Sequence, residues 1–261
     1  MIAVFRYFLP ITYFRATRLN RWELVGYNAL VEWIPAIGLS LYFNAFNLPV
    51  LATVIVSYLA FISVYEIGYI TNDFYSERFE SAPRGRLAQL NVTFVTICIL
   101  IGTRILVFIF ATYWLGAWKS NVWWAFYAGL VATFLLHNLI PSEARISTFF
   151  ALSTFRYFAP IILTLGGPIL TVLLPAVLLN NSLYRVTVYT RNKAGDETPT
   201  SSRTTEKLIF YLGCIPLSTF FAIYFGSYLP LLLCFYHLGV WAMFWTSAAI
   251  RTRSVAGSIV L

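Results

Sequence analysis

Eight apolar stretches of roughly 20 residues run through this chain, at about 23–44, 48–71, 90–113, 121–140, 146–166, 167–184, 207–225 and 228–250. Each is long enough to cross the ~30 Å apolar layer of a bilayer as a helix rising ~1.5 Å per residue. No other feature restricts the fold as tightly, because a chain in lipid must satisfy every backbone N–H and C=O internally. The sequence therefore reads as all-α: a polytopic membrane bundle of eight, or eight to nine, transmembrane helices. Composition agrees, with 59% hydrophobic and only 11% charged residues, where soluble domains average about 25% charged. A soluble enzyme is excluded, and no nucleic-acid partner is expected. The bilayer itself is the first partner.

The basic residues orient the bundle. Loops between the spans alternate between two sides, and one side carries fifteen of the eighteen Lys and Arg residues. These are Arg6, Arg15, Arg18 and Arg21, then Arg78, Arg84 and Arg86, then Arg145, then Arg185, Arg191, Lys193, Arg203 and Lys207, and finally Arg251 and Arg253. The other side has Lys119 alone, while Arg104 and Arg156 lie within spans. Such asymmetry places both termini in the cytoplasm by the positive-inside rule.

Residues 1–22 set Phe5, Tyr7, Phe8, Tyr13 and Phe14 beside four arginines, the composition of an amphipathic segment at the cytoplasmic interface. No cleavable signal is expected there, because those arginines interrupt the apolar stretch. Residues 23–261 then read as one transmembrane domain in two four-helix halves, 23–140 and 141–250, with a short tail. Gly166-Gly167-Pro168 reads as a tight turn between the fifth and sixth spans. The two substantial loops, 72–89 and 185–206, fall at corresponding places in the halves, both on the cytoplasmic side. The opposite face is nearly uncharged, with Trp114, Trp118, Trp123 and Trp124 as an interfacial belt. Polar groups on one face only do not suit a transporter. Cys98, Cys214 and Cys234 are scattered within spans and read as small buried apolar residues.

Four of the ten carboxylates cluster between Glu66 and Glu80, where the second span meets water. On a continuing helix Glu66, Asp73 and Glu80 recur every seven residues and Glu77 follows Asp73 by four, so all share one face. Like charges so arranged repel and call for a cation, for which a hard divalent metal is a natural candidate. The alternative is a solvated helix end whose acids pair with Arg78, Arg84 and Arg86.

Asn72-Asp73-Phe-Tyr-Ser76-Glu-Arg-Phe-Glu80 resembles the first signature of the UbiA superfamily of intramembrane prenyl and phosphoribosyl transferases, Asn-Asp-x-x-Asp-x-x-x-Asp. Asn72 and Asp73 match, whereas Ser76 replaces the middle acid and Glu80 the last. Pro83-Arg84-Gly-Arg86-Leu87 resembles the Arg-Pro-Leu/Ile segment that follows the signature in the family. Residue-level agreement covers about fifteen residues, which identifies the chain as a divergent member. The resemblance implies a catalytic set of Asn72, Asp73, Glu77 and Glu80. Asp73, Glu77 and Glu80 would hold Mg²⁺, and Arg84 and Arg86 would take phosphate oxygens of a diphosphate-activated donor.

Prenyl-transferring members carry a second Asp-rich motif after the sixth span. Here Asn180-Asn181-Ser182 is followed by Tyr184, Arg185, Tyr189, Arg191 and Lys193. Near-helical spacing lets one face present guanidinium, ammonium and phenol groups together, which suits a lipid phosphate better than a second metal. Plain positive-inside decoration explains the same residues. Phosphoribosyl-transferring members are likewise basic there, and Arg156 resembles a basic residue in their corresponding span. The expectation is a transferase that moves phosphoribose onto a polyprenyl phosphate at the cytoplasmic face. Isoprenyl transfer to an aromatic or other lipid acceptor is the first alternative, and a catalytically decayed scaffold or lipid-binding subunit the second. Glu32 and Glu66 are the in-span acids expected to pair with Arg104 or Arg156. His237, at mid-span, reads as a hydrogen-bonded core residue, and His137 is a further in-span polar group.

Overall fold

The computed structural model describes residues 7–19, 22–79, 93–141, 144–193 and 200–257. Among these, every regular element is helical. They are α1 (Thr12–Arg18), α2 (Trp22–Asn28), α3 (Ile34–Phe43), α4 (Pro49–Phe79), α5 (Phe94–Trp114), α6 (Asn121–Leu139) and α7 (Arg145–Phe158). There follow α8 (Gly167–Val177), α9 (Tyr184–Lys193), α10 (Thr200–Phe225) and α11 (Leu229–Gly257). Two π turns, Ala29–Trp33 and Leu178–Leu183, fuse α2 to α3 and α8 to α9. The chain divides into two compact units at Gly166/Gly167, not at 140/141.

Six helical stretches among the described residues are long and apolar enough to cross a membrane. They are Pro49–Tyr75, Phe94–Trp114, Asn121–Leu139, Gly167–Arg191, Thr204–Phe225 and Leu229–Thr246. The other two expected spans take different forms. The first, from Trp22 to Phe43, is helical throughout but carries the π turn that holds buried Glu32, and it is not among the six. The fifth is a 14-residue helix, α7, about 21 Å long and too short to cross alone.

After α7 the chain continues as irregular turns over residues 159–166 that stay packed within the first unit. Backbone of that kind needs partners inside the protein. Asn44 at the end of α3 supplies one, donating to the Thr164 carbonyl at 3.0 Å, while the Ser40 and Thr164 hydroxyls bond at 2.8 Å. Hydropathy registers how apolar a stretch is; it does not register that the stretch stops being helical.

Helix starts follow their local chemistry. Thr93 and Ser120 cap α5 and α6 by accepting from the Thr96 and Trp123 amides. Pro49 opens α4, where a missing N–H costs nothing. In the second unit α10 and α11 pack against each other, joined through Gly226, whose φ of 59° suits the turn only because it lacks a Cβ.

The core of the first unit is aromatic. Phe61, Tyr65, Trp123, Tyr127 and Phe134 are buried around α4 and α6, joined by Phe14 from the N-terminal segment. Trp123 is wholly buried and donates to the Thr112 hydroxyl at 3.2 Å, so it belongs to the core; Trp114, Trp118 and Trp124 are exposed. Cys98 is exposed on α5, whereas Cys214 and Cys234 are buried. Gly68 lets α4 approach α6: a Cβ built there would overlap the Phe134 ring. Gly68→Ala is therefore expected to destabilise the first unit by about 1–3 kcal/mol, and pairing it with Phe134→Leu should recover part of the loss in thermal unfolding in detergent.

Candidate functional site

Glu66 and Asp73 of α4 face inward, onto the N-terminal segment. Glu66 is wholly buried, and its Oε2 accepts from Arg104 Nε on α5 at 3.0 Å. Its Oε1 accepts from the Phe14 amide at 2.7 Å. Arg104, also wholly buried, donates to the same segment, at the carbonyls of Tyr7, Phe8 (3.0 Å) and Leu9 (3.3 Å), and to the Thr103 hydroxyl on its own helix at 3.1 Å. A charge pair withdrawn from water is tolerable only when its other donors and acceptors are also satisfied, and residues 7–14 provide that.

Two helical turns further along α4, Asp73 is buried and makes the second pair. Arg18 Nη2 donates to its two oxygens at 2.9 and 3.1 Å, and the Tyr13 hydroxyl donates to Oδ2 at 2.7 Å. The Arg18 guanidinium also lies over the Tyr69 ring, 4.3 Å from its centroid. Burial works against the charge on Arg18, but the Asp73 carboxylate, together with Tyr69 and Tyr13, holds the group above its ordinary value.

The third pair is Glu32–Arg156, at 2.7 Å, set in the first π turn and on α7, with Asn28 also accepting from Arg156. Arg156 lies 5.1 Å from the Phe14 centroid, and Phe14 stacks on Tyr69 at 5.7 Å. A continuous run of contacts, Arg156–Phe14–Tyr69–Arg18, thus links the second and third pairs through one residue of the N-terminal segment. Cation–π contacts of this kind gain strength when desolvated.

This geometry answers the charge argument differently from a metal. Glu66 and Asp73 do repel and do need cations, and Arg104 and Arg18 are those cations. With both Asp73 oxygens held by Arg18 and Tyr13, Asp73 as placed does not fit a metal ligand. Among the described residues no three His, Cys, Asp or Glu side chains converge. Asn72 is half-buried beside Asp73. Glu77 is described only in its backbone, and Glu80, Arg84 and Arg86 lie outside the described residues. Tyr13, Phe14, Arg18 and Tyr69 are the site residues that the sequence reading missed. The segment expected to lie along the interface instead buries Tyr13 and Phe14 completely.

The basic stretch of the second unit continues the membrane helix and is not a loop. Its members separate. Tyr184 is buried against Phe210 and Tyr211, with ring centroids at 5.3 and 5.8 Å. Arg185 donates to Asn181 at 3.2 Å, Tyr189 is half-buried, and Arg191 is exposed and paired with Glu206. The Lys193 side chain lies outside the described residues. Asn180, Asn181 and Ser182 are buried in the π turn, and the Tyr211 hydroxyl donates to the Asn180 carbonyl at 2.9 Å. His237 stacks on Tyr211 and bonds through Nδ1 to the Leu233 carbonyl at 2.8 Å. His137 bonds to the Thr148 hydroxyl at 2.8 Å.

Arg104→Met leaves Glu66 charged and buried, and is expected to cost about 3–5 kcal/mol. Adding Glu66→Gln removes the stranded charge and should return much of that loss, measured as chemical unfolding of the detergent-solubilised protein.

Comparison with known proteins gives no match: no family model fits the chain, and no curated protein or solved structure resembles it at a meaningful level.

Proposed function

We propose that the chain is an integral-membrane transferase of the UbiA type. It moves a group from a diphosphate-activated donor to a membrane lipid at the cytoplasmic face, with phosphoribosyl transfer to a polyprenyl phosphate as the best-fitting class. The observation that carries this reading is the placement of Asn72-Asp73. The pair lies within about two turns of the C-terminal end of α4, where Asp73 is buried and bound to Arg18 and Tyr13. A solvated helix end would leave that acid in water, and nothing structural would then require an arginine, a tyrosine hydroxyl and an aromatic face around it.

The roles follow from what each side chain offers. Asp73 engages only Nη2 of Arg18, while Nη1 reaches the Thr17 carbonyl at 3.4 Å, so the rest of the planar fork can take phosphate oxygens. Asp73 and the Tyr69 ring fix its orientation. Burial lowers the local dielectric and strengthens the grip on charge that develops as the leaving diphosphate departs.

A second reading is a non-catalytic lipid-binding subunit. It is favoured by one observation: the three buried carboxylates of the first unit are each already matched by an arginine. Release of pyrophosphate by purified protein separates the two. With phosphoribosyl diphosphate or an isoprenyl diphosphate and a lipid extract, turnover is expected with one donor only. Arg18→Met should lower kcat/KM by roughly 100-fold, with Arg18→Lys intermediate because an ammonium cannot replace the fork. Absence of turnover with every donor would favour the binding subunit.

A further inference from the structure

We propose that residues 7–19 form a strap that docks on α4 and α5 and controls access to Asp73, and that this structure shows it closed. The proposal deepens the transferase reading where it concerns access to the site; the docking itself does not rest on that reading.

Four independent contacts hold the strap. Arg18 and Tyr13 grip Asp73, and the Phe14 amide caps Glu66. The carbonyls of Tyr7, Phe8 and Leu9 accept from Arg104. Tyr13 packs among Ile70, Ile97 and Leu100, while Phe14 enters the aromatic core. The polar contacts all converge on two side chains of α4 and one of α5. Such an arrangement can form and part as a unit.

The backbone carries a matching sign of stored strain. Ile11, immediately before α1, has φ 80° and ψ −26°, the left-handed region. A β-branched residue is rare there, and the conformation persists only where surrounding contacts impose it. Docking imposes it; undocking relieves it. The opposing terms leave the closed state held by Asp73 and Glu66 and pushed open by Ile11.

Ile11 also forms one wall of an apolar cavity of about 210 Å³, lined in addition by Trp33, Ile37, Val54, Tyr58 and Pro160. Lifting the strap therefore does two things at once: it uncovers the Asp73 carboxylate and it unroofs the cavity.

Leu19, buried at the end of the strap, reports the docking without any turnover assay. In a background with Cys98, Cys214 and Cys234 replaced by Ala, Leu19→Cys is expected to react slowly with a water-soluble maleimide in detergent. Asp73→Asn should speed that reaction by at least about tenfold, the scale of losing a charge-assisted contact. Arg18→Met serves the same purpose if Asp73→Asn does not fold. Ile11→Gly, which removes the left-handed penalty, should slow labelling below the parent rate. Equal labelling in parent, Asp73→Asn and Arg18→Met would overturn the strap. Because no donor is present, these outcomes stand apart from success or failure of the pyrophosphate assay.

Discussion

The buried pair between Glu66 and Arg104 is the contact around which the first unit is arranged. Both side chains are fully removed from solvent, and each carries more hydrogen-bonding capacity than its partner can satisfy. The surplus is met by backbone: the Phe14 amide for Glu66, and three successive carbonyls from Tyr7 to Leu9 for Arg104. Phe14 can offer its amide because it lies in the first turn of α1, where N–H groups have no partner within the helix. The carbonyls of Tyr7 to Leu9 precede that helix, so the N-terminal stretch supplies both kinds of group. Its path across α4 and α5 then delivers Tyr13 and Arg18 to Asp73. The second pair is in this sense a consequence of the first.

The two remaining pairs show how a bundle of low charge content keeps charges in its interior. Glu32 and Arg156 meet across a π turn and a short helix, Asp73 and Arg18 across α4 and the strap. Between them lie Phe14 and Tyr69, whose ring faces receive the two guanidinium groups. Each arginine therefore meets a carboxylate and an aromatic face, and neither is left with an uncompensated charge in a medium where that would cost several kcal/mol. π turns are found disproportionately at functional positions. Here one carries Glu32 and the other Asn180, Asn181 and Ser182, so each π turn sits where its helix buries polar side chains.

Much of the helical membrane character was legible in apolar run length, because lipid enforces one simple rule on the backbone. Pairing of the in-span acids with Arg104 and Arg156 was legible too, since isolated charges in that setting are untenable. Helix interruption was not. Residues 146–166 are as apolar as a spanning helix, yet they form a 14-residue helix followed by buried turns. The heptad spacing of Glu66 and Asp73 marked the receptor positions, but it could not say which cation meets them. Arg18 is 55 residues away in sequence, and an arginine brought in by tertiary folding leaves no local periodic trace. The aromatic and basic composition of residues 7–19 suits a membrane interface and a buried strap equally well.

The strap has a consequence for biosynthesis. It precedes in the chain everything that it grips: Glu66 and Asp73 on α4, Arg104 on α5, and Arg156 on α7, which lies against Phe14. Until α5 has been made, Glu66 has no Arg104 beside it, and until α7 has been made, Phe14 lacks one of its neighbours. The strap therefore reaches its final place only after later parts of the first unit exist, and its closure follows the chain order of its seat.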